Sequence, residues 1–214
     1  MKILKTEEYI VEKLNIKPKS KEWLDKYSNE KIIDHNAQSF IDDFKLVWNK
    51  ISKLYDCDGD IAIDSCVVDK NGKLKIKFGI IKGDFDCSKS ELTTLEGAPQ
   101  KVDGGFWCSD NKLTSLEGAP QEVGVDFDCS YNQLTSLEGA PQKVGCDFIC
   151  VRNQLTSLEG SPQEVGGNFN CRNNQLTSLE GAPQEVGGNF NCRNNPNFNL
   201  PKEKPSWIKG KIIS

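Results

Sequence analysis

No stretch of this 214-residue chain approaches 18 consecutive apolar positions, the length at which a segment becomes fit to span a bilayer. The opening Met1-Lys-Ile-Leu-Lys-Thr-Glu-Glu has neither an apolar signal core nor a cleavage site, so a cytoplasmic protein is expected. Histidine occurs once, as His35 beside Asp34; that pairing more often decorates a surface than forms a catalytic dyad, and no nucleophile is arranged with a base. No glycine-rich loop has phosphate-binding spacing. Basic residues are sparse where the chain is most regular. Segment 85–194 holds 7 Lys/Arg against 15 Asp/Glu, a net −8 offset by +4 elsewhere, which disfavours tracking of long nucleic acid. Two metal-like patterns fail on inspection. Asp56-Cys-Asp-Gly-Asp60 places Ile61 and Val67 where a calcium loop needs glycine and glutamate. Cys146-x-x-x-Cys150 has no second pair and no nearby histidine. Catalytic residues, metal ligands and cofactors are therefore not expected; the chain reads as a non-enzyme.

What is present is a beat of 21 residues. Cys87, Cys108, Cys129, Cys150, Cys171 and Cys192 mark it, and each interval reads close to C-x-x-N-x-L-T-S-L-E-G-A-P-Q-x-V-G-x-x-F-x. A period in this range with apolar residues at fixed positions predicts a solenoid whose coils contact only their neighbours. Equivalent cysteines of adjacent coils would lie roughly 4.8 Å apart, point the same way and suit a disulfide dihedral poorly. Without a secretory signal, reduced thiols packed as small apolar side chains are expected.

Four regions follow. Residues 1–56 read as a helical N-terminal cap: Tyr9 to Leu14 in a first helix ended by Pro18, Trp23 to Tyr27 in a second capped by Ser20, and a third from Asn36 with Phe40, Ile41, Phe44, Val47, Trp48, Ile51 and Leu54 as its apolar stripe. Residues 57–84 are either a hairpin turning at Asn71-Gly72 or, preferably, a degenerate first coil. The solenoid occupies 85–195. Residues 196–214 form a C-terminal cap, with Trp207 and Ile208 over the last coil and Pro201 and Pro205 opposing further coils.

Within a coil, Phe148 and Cys150 share one strand face, Leu155 and Leu158 turn inward, Gly160 and Pro162 make the bend, and Val165 re-enters the core. Stacking predicts an α/β repeat fold: a solenoid with a parallel sheet along one face and a helical cap. Asn111, Asn132, Asn153, Asn174 and Asn195 form a row, with Ser90 in its first place; their amides are expected to bond backbone groups between coils. The core F-x-C-x-x-N-x-L-T-S-L resembles the L-x-L-x-x-N-x-L-x-x-L signature of leucine-rich repeats, with Phe and Cys replacing the first leucines. The fuller phrase L-T-S-L-E-G-A-P-Q-x-V-G-G-x-F-x-C is similar to repeats of leucine-rich-repeat proteins from tailed bacteriophages, as is the opening from Lys5 to Pro18. The repeat match spans about half of the chain. The resemblance implies a viral binding protein and supplies neither partner nor catalytic residues.

The coils differ from one another mainly at three positions. Between Phe and Cys stand Asp86, Trp107, Asp128, Ile149, Asn170 and Asn191; after Cys come Ser88, Ser109, Ser130, Val151, Arg172 and Arg193; next come Lys89, Asp110, Tyr131, Arg152, Asn173 and Asn194. All three rows are expected outward on the strand side, the concave face. Early coils are acidic there (Asp84 and Asp126 adding to Asp86, Asp110 and Asp128), the middle apolar and aromatic, the late coils basic and amide-rich. A central aromatic patch flanked by opposite charges matches a protein hot spot. A protein partner, host or viral, is the leading expectation, with phage inhibition of a host antiviral defence protein as its most specific form. Sequestration of a nucleotide or other phosphorylated ligand by Arg152, Arg172 and Arg193, a virion structural role, and a function carried by residues 1–56 stay open.

Overall fold

A computed structural model describes residues 35–63 and 65–214; the helices expected around residues 5–14 and 20–27 lie outside them. The described chain opens with helix α1 (His35–Asp43). The third-helix expectation holds only that far. Lys45 takes a left-handed backbone conformation; the Leu46 amide then donates to the Ile41 carbonyl (2.9 Å) and that of Lys45 to Asp42 (3.2 Å). This six-to-one and five-to-two pair closes the helix, with buried Leu46 and Ile41 beneath it. The 3.6-residue stripe beyond is thus a mirage of spacing. Val47, Trp48 and Ile51 are exposed, and the chain forms an antiparallel hairpin of β1 (Val47–Asn49) and β2 (Leu54–Cys57). The Asn49 side chain nucleates that hairpin by accepting the amides of Ile51 and Ser52.

From there the chain winds as a β-solenoid of about seven turns. Each coil contributes two short strands, not the one expected, and two eight-stranded sheets result. Sheet A runs β1, β2, β4 (Phe78–Ile81), β6 (Lys101–Val102), β8 (Glu122–Val123), β10 (Lys143–Val144), β12 (Glu164–Val165), β14 (Glu185–Val186). Sheet B runs β3 (Ile61–Ala62), β5 (Phe85–Asp86), β7 (Phe106–Trp107), β9 (Phe127–Asp128), β11 (Phe148–Ile149), β13 (Phe169–Asn170), β15 (Phe190–Asn191), β16 (Ile212–Ile213). Apart from the β1–β2 hairpin, every strand pair is parallel and joins equivalent positions of neighbouring coils, as in Phe148 with Phe169 and Val144 with Val165. Ile61 is in register with Phe85, so the first coil begins in segment 57–84, and the Asn71-Gly72 turn is an excursion from it closed by the Gly72 amide on the Asp69 carbonyl. The tail differs from expectation. Despite Pro201 and Pro205, Ile208 pairs with Val186 and Ile212 with Phe190, because both prolines precede the residues that donate to the ladder.

Identical side chains stack along the axis. Phe85, Phe106, Phe127, Phe148, Phe169 and Phe190 are buried, their ring centroids 5.1–5.4 Å apart and nearly coplanar in orientation. Edge-on rings end the column on both sides: Phe78 against Phe85 and Trp207 against Phe190. A thiol column follows behind sheet B, a valine column behind sheet A, and Leu92 to Leu176 close the third side. No disulfide forms, and Cys129, Cys150 and Cys171 direct their thiols to carbonyls of the next coil. Two glycine columns make the bends possible. Gly118, Gly139, Gly160 and Gly181 have positive φ, while at Gly145 and Gly166 a side-chain carbon would collide with the carbonyl of the glycine or its equivalent one coil below.

The asparagine row is the internal clamp. Asn111 donates to the carbonyls of Cys87 (2.8 Å) and Cys108 (3.1 Å) and accepts from the amides of Ser90 (3.1 Å) and Leu92 (2.9 Å). The pattern repeats through Asn195, which bonds Cys171, Cys192 and Leu176. Among the described residues no buried side-chain nitrogen or oxygen lacks a partner, and none of their helices is long and apolar enough to cross a membrane.

Candidate interaction face

The variable rows lie on the outer side of sheet B, because Phe and Cys, two residues apart, both point inward and the residue between them must point out. Asp86 is exposed, and Trp107, Asp128, Ile149, Asn170 and Asn191 are half-buried. In this row the acids and amides also serve the backbone: Asp86 accepts the Ser88 amide (2.9 Å), Asp128 that of Ser130 (2.8 Å), Asn170 that of Arg172 (3.4 Å) and Asn191 that of Arg193 (3.3 Å). Trp107 and Ile149 cannot make this bond. They give up a local turn contact for apolar surface.

Val151 corrects the sequence reading. It is 3 % exposed, so it is not presented to a partner. The row after each cysteine sits where the chain swings into the left-handed residue, and a small or branched side chain there folds against its neighbours. Ser130, 4 % exposed, does the same, and its hydroxyl accepts the Val151 amide (3.1 Å). Only the long Arg172 and Arg193 climb out of this row into solvent.

The third row has a feature no composition count shows. Lys89, Asp110, Tyr131, Arg152, Asn173 and Asn194 all have φ between 54° and 59°. Asn and Asp tolerate this region; for other residues it costs about 1–2 kcal/mol. Tyr131 and Arg152 occupy it nonetheless, and the Arg152 guanidinium lies 5.2 Å from the Tyr131 ring centre, a cation–π pair on the exposed face. Lys89 occupies the same region, so the left-handed turn belongs to the repeat backbone and the residues in it are the ones free to vary outward. Asp110 in the same row is exposed. The three arginines invoked for phosphate do not share one column: Arg152 lies in this row, Arg172 and Arg193 in the previous one.

Two acids assigned to the early-coil charge patch have another task. Asp84 accepts the Gly105 amide (2.8 Å) and Asp126 that of Asp147 (2.9 Å). The ladder continues through Asp147, Asn168 and Asn189 to the Lys211 amide. It pins the corner between the sheets, and the Asx residue before each Phe was its only sequence signal. Gly105 interrupts it for a reason: a β-carbon there would lie 2.6 Å from the Trp107 ring, so the indole is seated on bare backbone.

The acidic Asp56–Asp60 loop spends its carboxylates internally. Asp56 accepts from Ile80 and Asn49, Asp58 pairs with Lys82 at 2.7 Å, and Asp60 accepts the Asp84 amide. No cluster of three metal-ligating side chains occurs among the described residues. Burial holds the thiols of Cys87, Cys108, Cys129, Cys150 and Cys171 well above the ordinary thiol value, which makes them poor nucleophiles and poor metal ligands. A polar depression of about 290 Å³ beside the Asn71-Gly72 turn is lined by Asp69, Lys70, Glu91 and Lys112, and sequence reasoning gave no hint of it. Comparison with protein-family models, curated proteins and solved structures finds no match to this chain.

Proposed function

We propose that this protein is a non-enzymatic interaction module that binds a protein partner through the outer face of sheet B. The observation that carries the reading is the arrangement around Trp107, Tyr131 and Ile149. Acids (Asp86, Asp110, Asp128) gather on one side and arginines (Arg152, Arg172, Arg193) on the other, over a rigid parallel sheet that holds each at a fixed step. Aromatic and arginine anchors on a preformed surface are the side chains that dominate protein binding energy. The finer reading is that the coils are a variant of the leucine-rich repeat and that the chain is a tailed-phage product acting in the host cytoplasm on a host protein, an antiviral defence component in its most specific form. Support for that step is the resemblance of the repeat phrase alone.

The experiment is affinity capture from host lysate with the native chain and with Trp107→Ala plus Tyr131→Ala as bait. The expected result is a partner recovered with the native bait and depleted at least about tenfold with the variant, the loss of one hot-spot contact or more. Equal recovery by both baits would overturn the assignment of this face.

A further inference from the structure

The row after each cysteine reads, from the first coil to the sixth, Ser88, Ser109, Ser130, Val151, Arg172, Arg193. Turned end for end, this row meets itself with a small residue opposite an exposed arginine at its outer steps, Ser88 against Arg193 and Ser109 against Arg172, while Ser130 and Val151 in the middle are buried and present no side chain to the contact. The flanking rows turn with it. Arg172 arrives between Trp107 and Asp110, and Arg193 between Asp86, which attracts it, and Lys89, which does not. Lys89, the one cation at the acidic end, faces the neutral Asn194.

We infer that this face pairs with a second copy of the same chain, antiparallel, about a two-fold axis running along the strand direction. The inference rests on the reading that the face binds protein, and it names the occupant. An axis along the solenoid instead would set acid on acid and arginine on arginine. The strand-direction axis reverses coil order while keeping each row opposite itself, which is the condition for a self-complementary isologous contact. Both surfaces have the same coil rise, so each step along one matches a step along the other. Asp86 uses one carboxylate oxygen for the local amide, which leaves the other to meet the Arg193 guanidinium. Arg172 of the second copy would lie over the Trp107 indole with Asp110 beside it, a cation–π contact and an ion pair sharing one guanidinium.

The size of the strip sets the strength. Five steps of roughly 4.8 Å by about five residues across give roughly 400 Å² per copy, half the ~800 Å² of a stable complex. The dimer is therefore weak, concentration-dependent and salt-sensitive.

The test is sedimentation equilibrium of the full chain up to concentrations on the order of 100 μM, at about 0.05 M and about 0.5 M salt. Two charge-swapped variants accompany it: Arg172→Asp with Arg193→Asp, and Asp86→Arg with Asp110→Arg. The Asp110 position accepts arginine because Arg152 occupies its equivalent with the same backbone conformation. Circular dichroism melting confirms that each variant folds. The native chain is expected to dimerise at low salt and dissociate at high salt. Each variant alone is expected to associate at least about tenfold more weakly, and an equimolar mixture of the two to pair again as a heterodimer. A native chain that stays monomeric, swaps that leave a dimer intact, or a mixture that does not re-pair would each overturn the inference. A monomeric native chain that still captures another protein through Trp107 and Tyr131 would remove the second copy and leave the protein-binding reading standing.

Discussion

The two sheets of each coil present opposite treatments of charge. On the outer row of sheet A, Lys101, Glu122, Lys143, Glu164 and Glu185 mix both signs, with Lys209 just past the row's end, and the chain neutralises itself: Lys143 meets Glu164 at 2.9 Å, Lys209 meets Glu185 at 3.6 Å, and Lys101 turns to Asp103 at 2.7 Å. On the outer rows of sheet B, acids and arginines are sorted to opposite ends with aromatics between. Both rows grow from the same repeat and see the same solvent. A surface under no demand beyond solubility settles into mixed charge; the segregation on the neighbouring face is the feature that the proposed binding role would explain. The interiors differ as well. Valine backs sheet A, and phenylalanine with cysteine backs sheet B.

The largest expected effect follows from that interior difference. Cys87, Cys108, Cys129, Cys150 and Cys171 have thiol values raised by burial above the ordinary 9.0. Once unfolded they ionise near 9, while the folded chain keeps them neutral. Above that pH the folded state therefore binds more protons than the unfolded state, and stability falls as pH rises; below it these thiols contribute no slope. Each thiol approaches a limiting slope of about 1.4 kcal/mol per pH unit and loses about 1 kcal/mol over the first unit above 9, so five of them remove roughly 5 kcal/mol between pH 9 and pH 10. Urea unfolding from pH 8 to pH 10 should show this fall. Cys129→Val should lessen the slope by one proton, whereas no substitution in the valine column should alter it.

Next comes the aromatic column. Phe148→Ala removes a ring stacked on both neighbours and should cost about 4 kcal/mol, against about 2 kcal/mol for Val144→Ala behind sheet A. Equal costs in denaturant unfolding would mean that the two sheets share the core evenly and that the stack has no special weight. Asn153→Ala follows at about 3 kcal/mol, since it strands the carbonyls of Cys129 and Cys150 and the Leu134 amide in the interior.

How far these contrasts were legible depends on length scale. The inward columns and the asparagine clamp could be read because they recur every 21 residues and packing allows them little variation. Sheet A could not, although its valines recur as regularly, since Glu164-Val165 lies between the Pro162 bend and Gly166-Gly167 and reads as part of a turn. Helix α1 was extended into a hairpin because Phe44, Val47, Trp48 and Ile51 keep helical spacing; the left-handed turn at Lys45 ends it without the glycine that usually announces such a stop. Val151 reads as outward because it belongs to one of the three variable rows, all of which are expected on the outer side of the strand. Burial there depends on side-chain length, which a row alignment does not weigh. Asp84 and Asp126 read as free charge unless their recurrence is noticed: the only trace of a carboxylate bonding an amide one coil away is the Asx that precedes most of the phenylalanines.

The smallest expected effects lie on the outer rows, where the two faces should part most clearly in kind. Lys143→Ala breaks an ion pair whose partners are both more than half exposed, and exposed pairs contribute little because water and salt already screen them. Its thermal midpoint should move by no more than the equivalent of about 0.5 kcal/mol, and its sedimentation should match that of the native chain. Arg172→Ala should shift stability equally little, because its guanidinium stands in solvent and its backbone bond to Asn170 does not need the side chain. Association, though, should weaken severalfold. Two substitutions matched in folding cost and unmatched in self-association would assign the sorted charge of sheet B to binding. If both leave self-association unchanged and capture of any other protein is unchanged as well, the sorting is drift, and the comparison between the faces loses its functional meaning.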